Sequence, residues 1–331
     1  MSLGLALGNT CSTMAVMRQG ALHVIANEQG SRSTPSCVAF SDGETLVGEA
    51  ALGQVARNPR HTVIDLLLML GRAFDDPVIQ SALARWRFAA CAAEKDGTVA
   101  VEAPAGKVVG ALRLLSLLVA ELRAAADAYI GSPVKEVVLA IPPSFSPARA
   151  DALVEAARAG GMRVKSALPS PLAVALLYLS EHEQAGGARR VLVVDVGGSS
   201  TSVCVVDCDV DGGDAAQSPD GSGATRVCRQ LRRLSLASCV SEEVGGSHVD
   251  EKLVAHALRD LKRRSRVDLA DNARALARLR AACESGKRSL CGGAQTQIAV
   301  EADGVDYFVS VNRANLDELA KPLCQAVRRL F

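Results

Sequence analysis

No charge of one sign dominates this sequence: 37 Lys and Arg stand against 36 Asp and Glu across 331 residues. That balance sets up no broad field toward nucleic acid or an anionic membrane, and neither is expected as a partner. The basic run RQLRRL at 229–234 reads as a solvated face. Metal-site spacing is missing too. The ten Cys form no CxxC pair, and no His cluster accompanies them, which argues against a Cys/His metal site. No run of about 18 uninterrupted apolar residues occurs, so no membrane-spanning helix is expected. The N-terminus lacks the charged-then-apolar pattern of a secretory signal. These gaps leave a reduced, soluble, cytoplasmic chain whose Cys serve as small core residues.

What is present is a repeated phosphate-type hairpin. Near the start stands LGLALGNTCSTMAV, residues 3–16, and far downstream RRVLVVDVGGSSTSVCVVDCDV, residues 189–210. Each reads apolar strand, Gly turn, small hydroxyl residues, apolar strand. Such turns bind phosphate through backbone N–H groups and hydroxyls without needing a Lys. One alone is most often only a hairpin; two at matching positions are a stronger signal. Overlaid, Gly8 meets Gly197, Thr10 meets Ser199, Ser12 meets Thr201, and Ala6 meets Asp195. A spacing of about 190 residues is too long for a solenoid and suggests two related α/β lobes with a ligand cleft between them. Gly245-Gly246 is a third glycine pair that could bring backbone close to phosphate or sugar.

Between these landmarks the periodicity predicts strands in ALHVIAN, SCVAF, TLVGEA and EVVLAIPP. It predicts helices in NPRHTVIDLLLMLGRA, VVGALRLLSLLVAELRAAADAYIG, SPARADALVEAARAGGM and SPLAVALLYLSEH. Asp211 to Thr225 reads as a loop. The strand LRRLSLASC, the turn EVGGSHVD and helices over 250–264 and LADNARALARLRAACESGKRSL follow. The β stretch QTQIAVEADGVDYFVSVNR and the helix ANLDELAKPLCQAVRRLF close the chain.

The chain resembles the ATPase domain of the 70-kDa heat-shock chaperones, the DnaK-type family. The carrying stretches are LGLALGNTCSTMAV, IANEQGSRSTPSCVAFSD, VGEAA with QVARNP, LGRAFDDPVIQ, VVLAIPPSF, VLVVDVGGSS, EVGGSHVDEKL and RLRAACESGKRSL. They run in the family's order over nearly the whole chain. The resemblance implies an α/β, actin-like ATPase fold with two duplicated RNase H-like lobes around a nucleotide cleft. Lobe I would be 1–188 and lobe II 189–331. Lobe II would be incomplete at its C-terminus, and the peptide-binding domain would be absent.

Carried over residue by residue, the resemblance implies that Gly8, Asn9 and Thr10 hold the terminal phosphates. Asp195 with Gly197, Gly198, Ser199 and Ser200 would form the second phosphate loop. Gly245 and Gly246 would approach ribose and phosphates. Glu284, Lys287 and Arg288, on one helix face, would line the adenosine pocket. The cofactor implied is ATP or ADP, with Mg²⁺ held weakly through Asp195, and Asp195 and Thr10 would be the surviving catalytic groups. Implied partners are a J-domain co-chaperone and a nucleotide-exchange factor, with unfolded polypeptide only if a C-terminal domain exists.

The departures are concentrated. The family has Asp at Ala6, Lys at Leu67, Glu at Ser170 and Asp at Ser202. Losing a charge-stabilising group slows catalysis about 10²–10³-fold, and losing a proton-handling group about 10²–10⁴-fold. Mg²⁺ prefers carboxylates and water. The expectation is an ATP-binding chaperone-type protein with weak or absent hydrolysis, or else a non-enzymatic scaffold or co-chaperone, for example one paired with a J-protein at the ribosome. A sugar or acetate kinase on the same fold is disfavoured by the specificity of the long matching stretches.

Overall fold

The computed structural model describes residues 2–41, 43–182, 187–210, 231–266, 268–269, 272–302 and 304–331. The expected loop at 211–225, Cys228 and the start of the basic run at 229–230 lie outside the described residues.

The first hairpin forms as its alternation requires. Strands β1 (Ser2–Ala6) and β2 (Cys11–Arg18) pair antiparallel, with Leu3, Leu5, Met14 and Val16 buried on one face. β3 (Ala21–Ile25) continues the meander, and the short β4 (Thr34–Pro35) pairs with the start of β2. β5 (Val38–Ser41) and β6 (Glu44–Val47) form a second hairpin, with α1 (Glu49–Leu52) after it and β7 (Thr62–Val63) on the other side of β5.

The stretch NPRHTVIDLLLMLGRA departs from its predicted helix. Pro59–His61 is a tight 3-10 turn, β7 follows, and only Leu66–Met69 makes a helical turn, α2. The physical reason is Asp65, which adopts the left-handed conformation at φ 58° and breaks the register. The apolar run is helical in spacing, but its side chains Leu66 to Leu70 are all buried, so no amphipathic face exists.

Next come α3 (Pro77–Leu83), capped by Asp76, and a three-stranded sheet of β8 (Ala90–Ala92), β9 (Val99–Ala103) and β10 (Lys107–Gly110). α4 (Ala111–Ile130) buries Leu114, Leu115, Leu118, Val119 and Leu122 on one stripe and ends at Gly131 in the left-handed region. β11 (Glu136–Ile141) lies parallel to β1. α5 (Pro147–Ala159) starts at Ser146, whose hydroxyl accepts from Arg149 N. β12 (Arg163–Pro169) extends the sheet to the order β12-β11-β1-β2-β3, and α6 (Ser170–Glu181) follows.

The second hairpin repeats the first. β13 (Gly187–Val196), β14 (Thr201–Val210) and β15 (Leu231–Ser241) form an antiparallel meander. Val193, Cys204, Val206 and Cys208 face Ala175 and Leu179 of α6. α7 (Gly246–Ser265), α8 (Ala273–Ser289), β16 (Gln295–Ala302), β17 (Val305–Asn312) and α9 (Arg313–Arg328) complete the chain. α7, α8 and the β16/β17 pair share a separate core through Leu253, Leu279, Ile298 and Val309.

Cysteine placement corrects part of the expectation. Cys37, Cys204, Cys208 and Cys283 are buried, and burial pushes the thiols of Cys37 and Cys283 up to about 12. Cys239, Cys291 and Cys324 are exposed, so these three thiols are not core residues. Among the described residues, no helix is long and apolar enough to cross a membrane.

Candidate functional site

Each hairpin ends in a tight turn, and the two turns meet. In the first, the Asn9 side chain is held on three sides. Its amide nitrogen donates to Asp65 Oδ1 at 3.0 Å and to Ser199 Oγ of the second turn. Its amide oxygen accepts from Leu68 N at 3.0 Å. Asp65 is in turn fixed by Trp86 Nε1 at 2.9 Å and Arg85 at 3.1 Å.

In the second turn Gly197 N donates to Ser200 O at 2.8 Å. Gly198 lies flat against Thr10: a Cβ there would be 1.7 Å from Thr10 Oγ1, so no other residue allows this approach. Behind it, Gly246 N donates to Gly197 O at 2.9 Å and Ser247 N to Gly198 O at 2.7 Å. The first N–H groups of α7 are thus satisfied by the second turn. A Cβ on Gly245 would be 2.6 Å from Gly198 O, which explains the glycine pair at 245–246.

On α8, Lys287 Nζ donates to Asp250 Oδ2 at 2.8 Å and to Gly246 O at 3.1 Å, tying α8 to the start of α7. Burial raises the Asp250 carboxyl, and Lys287 only partly offsets it. Arg288 is exposed and pairs with half-buried Glu284 at 2.7 Å. Both act on the Cys11 thiol at the start of β2. Burial raises that thiol most, Arg288 opposes and Glu284 adds. The structure therefore brings Gly8, Asn9, Thr10, Gly197, Gly198, Ser199, Ser200, Gly245, Gly246 and Lys287 into one contiguous region, with Glu284 and Arg288 on its open side. Asp195 stands exposed at the end of β13.

The decisive comparison concerns the whole chain. The family profile described as "Hsp70 protein" matches residues 2–217 and 234–330. The chain belongs to the Hsp70 family. It is 32% identical over 328 residues to the "Heat shock cognate 70 kDa protein 3" of Dictyostelium discoideum, covering 97% of this chain and 49% of that protein. It is 33% identical over 325 residues to the "Heat shock 70 kDa protein 2" of Paracoccidioides lutzii, covering 97% and 46%. It is 33% identical over 326 residues to the "Putative heat shock 70 kDa protein 7" of Homo sapiens, covering 98% and 83%. The chain spans about half the length of the first two relatives. It has the actin-like ATPase fold of the Hsp70 family.

Within this Hsp70-family chain, the four departing positions sit in different surroundings. Leu67 is 4% exposed and packs in the main core. Ser202 is buried, Ser170 half-buried and Ala6 exposed. Among the described residues, no group of three or more His, Cys, Asp or Glu gathers as a metal site.

Sequence reasoning missed a second contact set that joins the turns' surroundings. Arg149 Nε donates to Leu70 O and its NH2 to Leu67 O, both at 3.0 Å. Its NH1 pairs with Glu242 at 3.1 Å, and Arg72 pairs with the same carboxylate and with Asp76 at 2.7 Å. Burial, the largest influence, works to raise the Glu242 carboxyl, yet Arg72 and Arg149 outweigh it and hold it below the usual range. Asp65, Arg85 and His248 were missed as well. Arg85 lies 3.4 Å from His248 Nε2, and burial first, then the Arg85 charge, lowers the His248 pKa. Arg72 and Asp76 stand four positions apart, but the other partners lie 20 to 170 positions away, so no local pattern marks the set.

Proposed function

We propose that this chain is a chaperone-type Hsp70 protein that engages adenine nucleotide between lobes at 1–188 and 189–331 and hydrolyses ATP weakly or not at all. The observation carrying this reading is the lining of the phosphate end. Where the family resemblance calls for acids and a Lys there are Ala6, Leu67, Ser170 and Ser202, with Leu67 turned into the core.

The residues that would hold the nucleotide are the Gly8–Thr10 and Gly197–Ser200 turns, Gly245 and Gly246, and Glu284, Lys287 and Arg288. ATP would supply a terminal phosphoanhydride there. The chain's own groups supply little to cleave it. Thr10 leans on Gly198, Asp195 is a lone exposed carboxylate, and no amine sits at position 67. Mg²⁺ needs carboxylates and water around it, and the hydroxyls present do not fit a resident ion. A J-domain co-chaperone and a nucleotide-exchange factor remain the proposed partners.

A scaffold or co-chaperone reading without nucleotide is favoured by one feature, the direct Asn9–Ser199 contact between the turns. Isothermal titration with adenine nucleotides, with and without Mg²⁺, and a phosphate-release assay separate the two. Binding with negligible phosphate release supports the proposal. No heat at millimolar nucleotide supports the scaffold. Release at ordinary chaperone rates overturns both. In a chain with Ala6→Asp, Leu67→Lys, Ser170→Glu and Ser202→Asp, hydrolysis should rise.

A further inference from the structure

Two side-chain contacts tie the start of α7 to the main core. One is the Glu242 carboxylate, held by Arg72 and Arg149. The other is His248, in the first turn of α7, whose Nε2 lies 3.4 Å from Arg85 NH1. A guanidinium donates and cannot accept, so this bond exists only while Nε2 carries no proton. The neutral ring then holds its proton on Nδ1, a buried atom with no partner. Behind Arg85 stands Asp65, which accepts from Arg85 at 3.1 Å, from Trp86 at 2.9 Å and from Asn9 at 3.0 Å. Asn9 in turn donates to Ser199. His248 is thus the far end of a chain of polar contacts that begins at the paired turns.

A second proton on the ring sets a donor against a donor and a cation against a cation. The neighbouring charges do not absorb that change. Asp65 already serves three donors. Glu251, one turn along α7, is bonded to Arg280 of α8 at 3.1 Å, and Arg87 also acts on it. Glu243, just before α7, is exposed and screened by solvent. Burial first, then Arg85, keeps the imidazole below its ordinary 6.5, and Asp65, the Gly245 carbonyl and Glu243 oppose them without cancelling them.

The Glu242 contact works in a lower range. Burial acts to raise its carboxyl, yet Arg72 and Arg149 hold it below the ordinary 4.5. At mildly acid pH, below 6.5 and above 4.5, His248 takes up its proton while Glu242 stays charged. We propose that His248 and Arg85 form a proton-operated latch: a proton on His248 releases the first turn of α7 from the Arg85–Asp65 pair, while the Glu242 contact holds and serves as the pivot. The latch acts without bound nucleotide, so it stands or falls apart from the nucleotide reading.

Hydrogen exchange of the 331-residue chain, read by mass spectrometry at about pH 7.5 and about pH 5.5 and corrected for the pH dependence of unprotected amides, tests this. Gly246 N and Ser247 N, bonded to the Gly197 and Gly198 carbonyls, should lose protection at least about tenfold at the lower pH. Leu68 N, bonded to Asn9, and the amides beside Glu242 should stay within about threefold. His248→Gln offers Arg85 an amide oxygen at every pH and should abolish the loss. Arg85→Gln removes the opposing charge, and proton NMR of the imidazole should then show the His248 midpoint rising by at least about half a pH unit, about threefold in proton affinity. No loss of protection at 246–247 in the wild-type chain overturns the proposal, and that arm needs no variant. An equal loss at Leu68 and beside Glu242 marks general acid unfolding and overturns it too. Loss that persists in a His248→Gln chain shown folded by far-UV circular dichroism overturns the assignment to His248.

Discussion

Replacing Glu242 by Ala removes the carboxylate shared by Arg72 and Arg149. Breaking a buried ion pair from one side costs about 3–5 kcal/mol when nothing compensates. Compensation here is partial. Arg149 keeps two backbone carbonyls, Leu67 O and Leu70 O, and Arg72 keeps Asp76. The Glu242 side chain also retains 20% exposure, so water reaches the gap. The expected loss is therefore about 2–3 kcal/mol. Urea unfolding at neutral pH, followed by far-UV circular dichroism, measures it. The exposed pair Glu155–Arg158 is the control, and Glu155→Ala should stay within about 0.5 kcal/mol of wild type. The pH dependence gives a second arm. Because the folded Glu242 carboxyl is held below 4.5, its contribution is complete above that pH and lost as the pH falls through and below it. Wild type and Glu242→Ala should converge in acid. A neutral-pH loss under about 1 kcal/mol, or no convergence, would refute the claim that this carboxylate locks the two arginines.

Gly198→Ala should drive the turns apart, since its methyl group overlaps Thr10 Oγ1, at a cost of about 1–3 kcal/mol; pairing it with Thr10→Gly should restore most of the urea midpoint. His248 should make the fold acid-sensitive. Its folded pKa lies below the ordinary 6.5, so the unfolded chain takes up the proton first and stability falls as the pH drops below 6.5. His248→Gln should flatten the difference between urea midpoints at about pH 7.5 and about pH 5.5. Leu67→Lys alone places an ammonium where only 4% exposure remains and should cost about 2–4 kcal/mol by the same unfolding measurement.

The hairpins were legible because alternation and turn residues are local signals. Leu3, Leu5, Met14 and Val16 alternate, and the glycines sit where two strands must reverse. α4 and α5 were legible for the same reason, through stripe, cap and terminal glycine. Three regions were not. Residues 62–70 carry helical spacing, but Asp65 is drawn into a left-handed conformation by Trp86 and Arg85, which no local pattern announces. β12 reads RVKSALP, too polar for a strand signal, and gains its place by pairing with β11. The β8–β10 sheet is built of consecutive strands of three to five residues, too short for their alternation to stand out. Within the site, the residue types at the turns could be read in order from the chain. That the turns touch, and that Asn9 spends its amide on Asp65 and Ser199, depends on contacts 56 and 190 positions apart.

The chain carries a single Trp. Trp86 is 4% exposed, stacks on Phe88 at 4.9 Å, and gives its indole N–H to the carboxylate that also holds Asn9. Its emission is therefore an unlabelled optical gauge of the turn contact. A ligand that parts the hairpins changes the load on Asp65 and shifts the indole fluorescence, whereas one that sits only against α8 leaves it still.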